Sequence, residues 1–441
     1  MTQAGGESHD NRTATNGTND QNDQNGTNGQ AHEAFVDGSV AISPNTPELV
    51  PGLLDQIASS GKTLSSGVPK ARVELLDAAR SLVYALETPR EAMIRFCWSQ
   101  STAYAAVETG IDIGLFTVLS KDDNPKTASG LAEAVSADRK LVARHLKHLG
   151  AMGVIIETGP DEYRRTGFST LLSLQRYSDG FHCMTACATA AIHALPAYLK
   201  KNGYCNPSNG KDCSFQIGFN TDLHFFEFLK ETPEAAIQFN NHMSAYHQGR
   251  PSWMDVGFYD VPGLIKQANT GEQDVLLVDV GGNVGHDLSE FRRKWPNAPG
   301  RLVLQDLPEI IVRAKTVPLH SSIELAEHDF FTEQPIQGAR AYYMHSILHD
   351  WTDDNCRKIL KNLIPALKPG YSKVLINENV VPEMDAYWEI TSLDIVMMSL
   401  FASMERTVDN WHTLLESVGL KITKIWTAER GVESLIECEL A

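Results

Sequence analysis

The stretch Val275-Leu276-Leu277-Val278-Asp279-Val280-Gly281-Gly282-Asn283-Val284-Gly285 decides how this chain is read. An apolar run of strand length passes directly into a glycine-rich turn, and Gly285 to Trp295 then reads as a helix. Open α/β sheets bind ligands at such a place, because backbone N–H groups at the start of the helix face the crevice beyond the strand ends. A dinucleotide fingerprint wants further glycines where this chain has Asn283 and His286, so close approach of a pyrophosphate is poorly provided for.

Working outward, strand and helix signals alternate: Arg301 to Gln305, Pro308 to Val317, Ile323 to His328, Tyr342 to Leu348, Asp353 to Leu367 and Lys373 to Asn379. That order predicts an α/β fold with a Rossmann-like, doubly wound parallel sheet over residues 271–441. Two late strand signals, Lys421 to Trp426 and Ser434 to Glu439, are expected to pair antiparallel at the sheet edge.

Upstream, residues 176–270 read as mostly helical, with Pro196, Pro207 and Pro251 as breakers, and are expected to cover a substrate pocket. Residues 70–175 read as a helical, winged-helix dimerisation domain. Leu75, Leu76, Ala79, Leu82, Val83 and Leu86 recur at helical spacing, and a second helix from Ala92 to about Thr109 is apolar on most faces. Such faces predict burial against partner helices and a homodimer. Asp138 then caps a helix from Arg139 to Leu149, and Val154 to Glu157 and Tyr163 to Thr166 form a hairpin. The basic residues of that helix (Arg139, Lys140, Arg144, Lys147) read as a solvated face. Residues 1–35, rich in Asn, Gly, Thr, Gln and Asp, cannot offset their ordering entropy and are expected to be disordered.

Composition narrows the function classes. A formal net charge of −17 argues against a nucleic-acid partner, since phosphate binding draws on clustered Lys and Arg. The start of the chain lacks a secretory signal, and no apolar stretch is long enough for a bilayer, so no membrane association and a cytoplasmic location are expected. The sequons at Asn11, Asn16 and Asn25 then carry no meaning. Seven cysteines without a repeating spacing read as reduced thiols, and Cys183 with Cys187 lacks a second pair for zinc.

Candidate chemistry sits at the strand ends. S-adenosylmethionine has no phosphate, which suits the glycine turn: its amino-acid end needs backbone approach at Gly281 and Gly282. Its ribose diol needs a carboxylate at the end of the next strand, where Asp306 stands. His349 follows the strand Tyr342 to Leu348, and Glu378 ends the next one. Consecutive strands are usually neighbours, so a His349–Glu378 dyad is expected, with one ring nitrogen oriented by the carboxylate and the other free, as a neutral imidazole, to take a proton. Methyl transfer to oxygen needs alignment and removal of the hydroxyl proton, and no metal.

From about Arg72 onward the chain resembles the plant caffeic acid type and, more closely, the fungal secondary-metabolism O-methyltransferases. The matching stretches are Val278-Asp279-Val280-Gly281-Gly282, Leu304-Gln305-Asp306-Leu307-Pro308, Ile347-Leu348-His349-Asp350-Trp351, Leu367-Lys368-Pro369-Gly370-Tyr371 and Met404-Glu405-Arg406-Thr407. The resemblance implies methylation of a hydroxyl on a small aromatic or polyketide-like molecule, with His349 as general base flanked by Glu378 and Glu405. It implies cofactor contacts at Gly281, Gly282, Asp306, Asp329, Phe330 and His345, and an acceptor pocket at Met397 and Phe401. Two positions depart from the family pattern: Asn283 stands for a third glycine, and His345 for a Lys or Arg, a substitution expected to leave only partial charge. Some fungal members of this fold bind the cofactor yet catalyse dehydration or pericyclic ring closure, which is the alternative reading.

Overall fold

The computed structural model describes residues 37–66, 69–246, 248–269, 271 and 273–441, so the tail expected to be disordered over residues 1–35 lies outside the described residues. The chain divides into two compact units, Met1–Gln100 and Ser101–Ala441.

In the second unit, seven strands form one sheet: β1 (Val275–Val280), β2 (Arg301–Asp306), β3 (Ile323–Glu327), β4 (Ala341–His345), β5 (Lys373–Glu378), β6 (Leu420–Thr427) and β7 (Ser434–Leu440). Their order is β6-β7-β5-β4-β1-β2-β3. β3, β2, β1, β4 and β5 run parallel, while β7 pairs antiparallel with both β5 and β6. The chain starts in the middle at β1, winds out to β3, then returns to lay β4 on the other side. The crevice for a ligand therefore opens between the carboxyl ends of β1 and β4.

All six residues of β1 are buried, as a strand covered on both faces requires. The pleat sorts them: Val278 and Val280 join Tyr342, Met344, Val374 and Ile376 in one core, while Leu277 joins Tyr343 and Leu375 in the other. Helix Asp353–Leu363 covers the first core with Cys356, Ile359, Leu360 and Leu363, a single helical face. Helix His286–Lys294 covers the second with Leu288 and Phe291.

Ahead of the sheet, helices Ala128–Ala134 and Arg139–Ala151 precede a hairpin of Ile156–Gly159 and Glu162–Arg164, and Lys126–Thr127 adds a third strand. Asp138 accepts the N–H of Leu141 at 2.8 Å, the cap read from the sequence. Further on, the expected break at Pro196 falls elsewhere. Pro196 lies inside helix Thr189–Lys201, and the chain breaks instead at Ala188, which leaves helical geometry at φ −133°. One lost helix bond at the proline is outweighed by burial of Leu195 and Tyr198 beside it. Cys183 and Cys187 are buried thiols with their sulfurs 3.6 Å apart.

The first unit contains helices Val50–Ser65, Pro69–Leu86 and Pro89–Ile94. The helix expected to run unbroken from Ala92 is interrupted by a π-helical turn at Arg95–Ser99. Leu54, Leu76, Val83, Met93, Phe96 and Trp98 of this unit are exposed on the single chain. No helix among the described residues is long and apolar enough to cross a membrane.

Phe291→Ala, which empties a fully buried site between sheet and helix, is expected to cost about 3–5 kcal/mol of unfolding free energy, read by urea denaturation with tryptophan fluorescence. Arg293→Ala on the exposed face of the same helix should stay within about 0.5 kcal/mol of the parent.

Candidate active site

Beyond β4 the backbone turns at Ser346, whose φ of 51° is left-handed, and enters a short 3-10 turn, Leu348–Asp350. Three consecutive N–H groups then point the same way. Oε1 of Glu378 accepts all of them, from Ile347 at 3.0 Å, Leu348 at 2.7 Å and His349 at 3.3 Å. From the other side the buried Arg406 guanidinium donates to the carbonyls of Leu348 at 2.9 Å and Trp351 at 3.0 Å, and to Asp353 at 2.8 Å. His349 is thus mounted on a loop bolted at both edges.

The imidazole is buried, and its Nδ1 lies 2.8 Å from Oε1 of Glu405. Glu378 is 4.0 Å from the same nitrogen, so the dyad expected from consecutive strands is corrected: Glu405 orients the ring, and Glu378 builds the loop beneath it. Strand adjacency brought Glu378 to the right place, but its oxygen is taken by backbone donors. Asp350 lies 3.6 Å from Nε2. Burial works against a charged ring, yet Glu378, Asp350 and Glu405 together overcome it and hold His349 up at about 10. This upward shift runs against the neutral imidazole expected at pH 7. Burial pushes the Asp350 carboxyl up to about 7 against the pull of the imidazolium.

At the glycine turn, a Cβ on Gly281 would meet Ile347 at 2.7 Å and Phe330 at 3.6 Å, and one on Gly282 would meet the Asp279 carboxylate at 2.3 Å. Gly281 has φ 75°, and Asn283 takes the left-handed conformation at φ 53°, so the missing third glycine leaves the turn standing. The N–H of Asn283 bonds to Asp306 at 2.8 Å, and that of Leu307 bonds to its other oxygen at 2.7 Å. Asp306 thus pins the loop to the end of β2, with a second lone pair left on each oxygen. Asp279 is fully buried and neither carboxylate oxygen has a protein partner, nor has the amide oxygen of Asn283. Burial, reinforced by Asp287, drives the Asp279 carboxyl well above the usual range. A shaped glycine cradle with orphaned polar atoms fits a polar cofactor lying across it.

His345 stands between Asp287 at 2.7 Å and Glu433 at 3.0 Å. Burial opposes its charge, but those two carboxylates raise its proton affinity well above the ordinary value, against the partial charge expected for a histidine here. Phe330, beside Gly281, lies edge-on to Trp351 at 6.1 Å, and Asp329 next to it accepts the N–H of Phe331 at 2.9 Å. Met397 and Phe401 are buried in the helical core with Phe225 and Ala191 rather than open to solvent. Phe401 still reaches the site through Phe226, 5.5 Å from it and 5.8 Å from Trp351, on which His224 stacks at 5.2 Å. The sequence reading missed Phe226, His224 and the clamp by Arg406. An aromatic pair at Phe225-Phe226 and an arginine directly after Glu405 were the signals present.

The O-methyltransferase domain family matches residues 210–421. The O-methyltransferase mpaG of Penicillium brevicompactum is 37% identical over 394 residues, 88% of this chain and 98% of that one. Among solved structures, LepI in complex with S-adenosylmethionine superposes with a TM-score of 0.82 at 30% identity, covering 89% of this chain and 99% of its own. A structure described as a pericyclic reaction enzyme gives 0.79 at 30% identity, covering 89% and 100%. With a glycine cradle at the switch of a class I methyltransferase sheet and relatives that span nearly all of it, the chain belongs to the S-adenosylmethionine-dependent O-methyltransferases of fungal secondary metabolism.

Proposed function

We propose that this enzyme methylates a hydroxyl of a small aromatic or polyketide-like metabolite, with His349 as general base. The observation that carries this reading is the 2.8 Å contact from His349 Nδ1 to Glu405 on a loop braced by Glu378 and Arg406. With Nδ1 committed to Glu405, Nε2 is the nitrogen left to receive the hydroxyl proton. The three surrounding carboxylates stabilise the imidazolium that forms, and the aromatic wall of Phe226, Trp351 and Phe401 suits a flat acceptor. S-adenosylmethionine supplies a methyl group made electrophilic by its sulfonium. Gly281 and Gly282 are assigned to its amino-acid end, Asp306 to the ribose, Asp329 and Phe330 to the adenine side, and His345 to a fixed cation nearby. Glu405 is assigned to ring orientation and Glu378 to loop support. We further infer a cytoplasmic homodimer, supported by the exposed apolar residues of the first unit.

The kinship with a pericyclic enzyme supports a second reading, in which the cofactor is bound but not consumed. Comparing metabolite masses from a producing strain with and without the gene, and incubating the purified protein with the accumulated intermediate, separates the two. A product heavier by one CH2 unit with equimolar demethylated cofactor is expected. Isomeric intermediate and product, with the cofactor intact, would overturn methyl transfer.

His349→Ala is expected to lower kcat by about 10²–10⁴-fold while cofactor affinity, read by calorimetry, changes little. Because a base held at about 10 is mostly protonated at neutral pH, turnover should rise with pH through the neutral and alkaline range. Glu405→Gln removes one of the carboxylates that raise His349, so its pH profile should shift to lower pH. A flat wild-type profile would count against His349 as the base.

A further inference from the structure

Glu405 reaches His349 from the segment that follows helix Trp388–Phe401, which ends at Ala402 with a left-handed φ of 53°. A residue so placed, just past a helix end, needs something to fix its backbone. Ser403 contributes a hydroxyl bond to the Trp351 carbonyl at 2.8 Å, but the peptide of Glu405 itself is held from within the helix. Oδ1 of Asp394 accepts the Glu405 N–H at 2.8 Å, across 11 residues. Asp394 sits on the helix turn that walls an open groove of about 610 Å³ lined by Ile192, Thr391, Ser392, Asp394, Ile395 and Val396. Helix interiors disfavour Asp, and half-burial pushes this carboxyl up, so the position is costly unless the bond it makes matters.

We propose that Asp394 is a positioning residue for the base: by holding the Glu405 peptide it fixes the Glu405 carboxylate on Nδ1 of His349, linking the groove-walling helix to the reacting end of the site. The inference rests on the reading of His349 as general base. The chain of contacts is short and continuous, Asp394 to the Glu405 N–H at 2.8 Å and Glu405 Oε1 to His349 Nδ1 at 2.8 Å. Releasing the peptide frees Glu405 to rotate away, which weakens one of the interactions that keep His349 protonated. The groups facing this pair from every packed element are Glu378 on β5, Asp350 in the turn, Arg406 beside Glu378, and Tyr246, whose hydroxyl senses Glu405. A change at Asp394 alters none of these but does remove the Asp394 charge that acts on Glu405, a loss that Asp394→Asn shares with Asp394→Ala.

The test is the titration of the His349 imidazole in the full chain, followed by nitrogen-15 NMR of histidine-labelled protein and assigned by loss of its signal in His349→Asn. In Asp394→Ala the midpoint should fall by about half a pH unit or more, equivalent to about 0.7 kcal/mol of lost interaction. Asp394→Asn, whose amide oxygen still accepts the Glu405 N–H, should move less than half as far. Asp394→Ser, too short to reach that N–H, serves in place of Ala if the Ala variant does not fold, and calorimetric binding of S-adenosylmethionine checks folding in each. A midpoint in Asp394→Ala or Asp394→Ser that matches the parent, or an Asn variant displaced as far as the Ala variant, would overturn the proposal. Failure of the base reading is separate: it shows as undiminished turnover in His349→Asn, whatever the titrations give.

Discussion

Oε1 of Glu378 accepts the N–H groups of Ile347, Leu348 and His349, and the geometry of the site follows from that convergence. A buried carboxylate is expensive unless its lone pairs are filled, and three successive backbone donors fill one oxygen completely. The same bonds force the chain out of extended geometry immediately after β4, which is why Ser346 is left-handed and why the 3-10 turn begins where it does. Had the strand continued, His349 would alternate between faces of the sheet. It is lifted instead onto the carboxyl edge, above the crevice between β1 and β4. Arg406 completes the arrangement by binding the carbonyls at both ends of the turn, and its own charge is offset by Asp353 and the nearby Glu378.

The cofactor side solves a related problem with different residues. Asp279, Asp287, Asp306 and Glu433 bring acidic groups close to the glycine turn, and His345 is set among Asp287, Glu433 and the buried Asp279. A lysine or arginine in that position is charged regardless of its neighbours. Histidine gains proton affinity here because two carboxylates contact its two ring nitrogens, so the gain belongs to the cluster rather than to the residue. The sequence shows a weaker cation, and only the fold shows that Glu433, from the turn before β7, comes back to hold it.

That difference marks what could be read in advance. The sheet was legible because β1 is a continuous apolar run ending in glycine and because the late strands Lys421 to Trp426 and Ser434 to Glu439 follow the last helix. The cap at Asp138 followed from its position before an amphipathic run. The partner of His349 was harder. Strand adjacency pointed to Glu378, but nothing local in the sequence says that one of its oxygens will be consumed by backbone donors, nor that Glu405, across a helix, supplies the ring contact. Long-range closure of this kind depends on where helix Trp388–Phe401 ends, and that is set by packing of Leu400 and Phe401 against the Phe215 and Phe225 cluster. The break at Ala188 instead of Pro196 has the same origin, since burial on either side of the proline outvotes a local preference.

The carboxylates around His349 also govern how strongly the ring holds a proton. Glu378, Asp350 and Glu405 surround the buried ring and Arg406 stands beside Glu378, and burial strengthens every interaction among these groups. The field of any positive charge brought near the ring acts against a proton on it. Proton affinity and cation affinity are therefore linked through the same carboxylates: the ring binds its proton tightly when alone and gives it up more readily when positive charge arrives. That linkage runs through Glu405, the carboxylate in direct contact with Nδ1, together with Asp350 and Glu378.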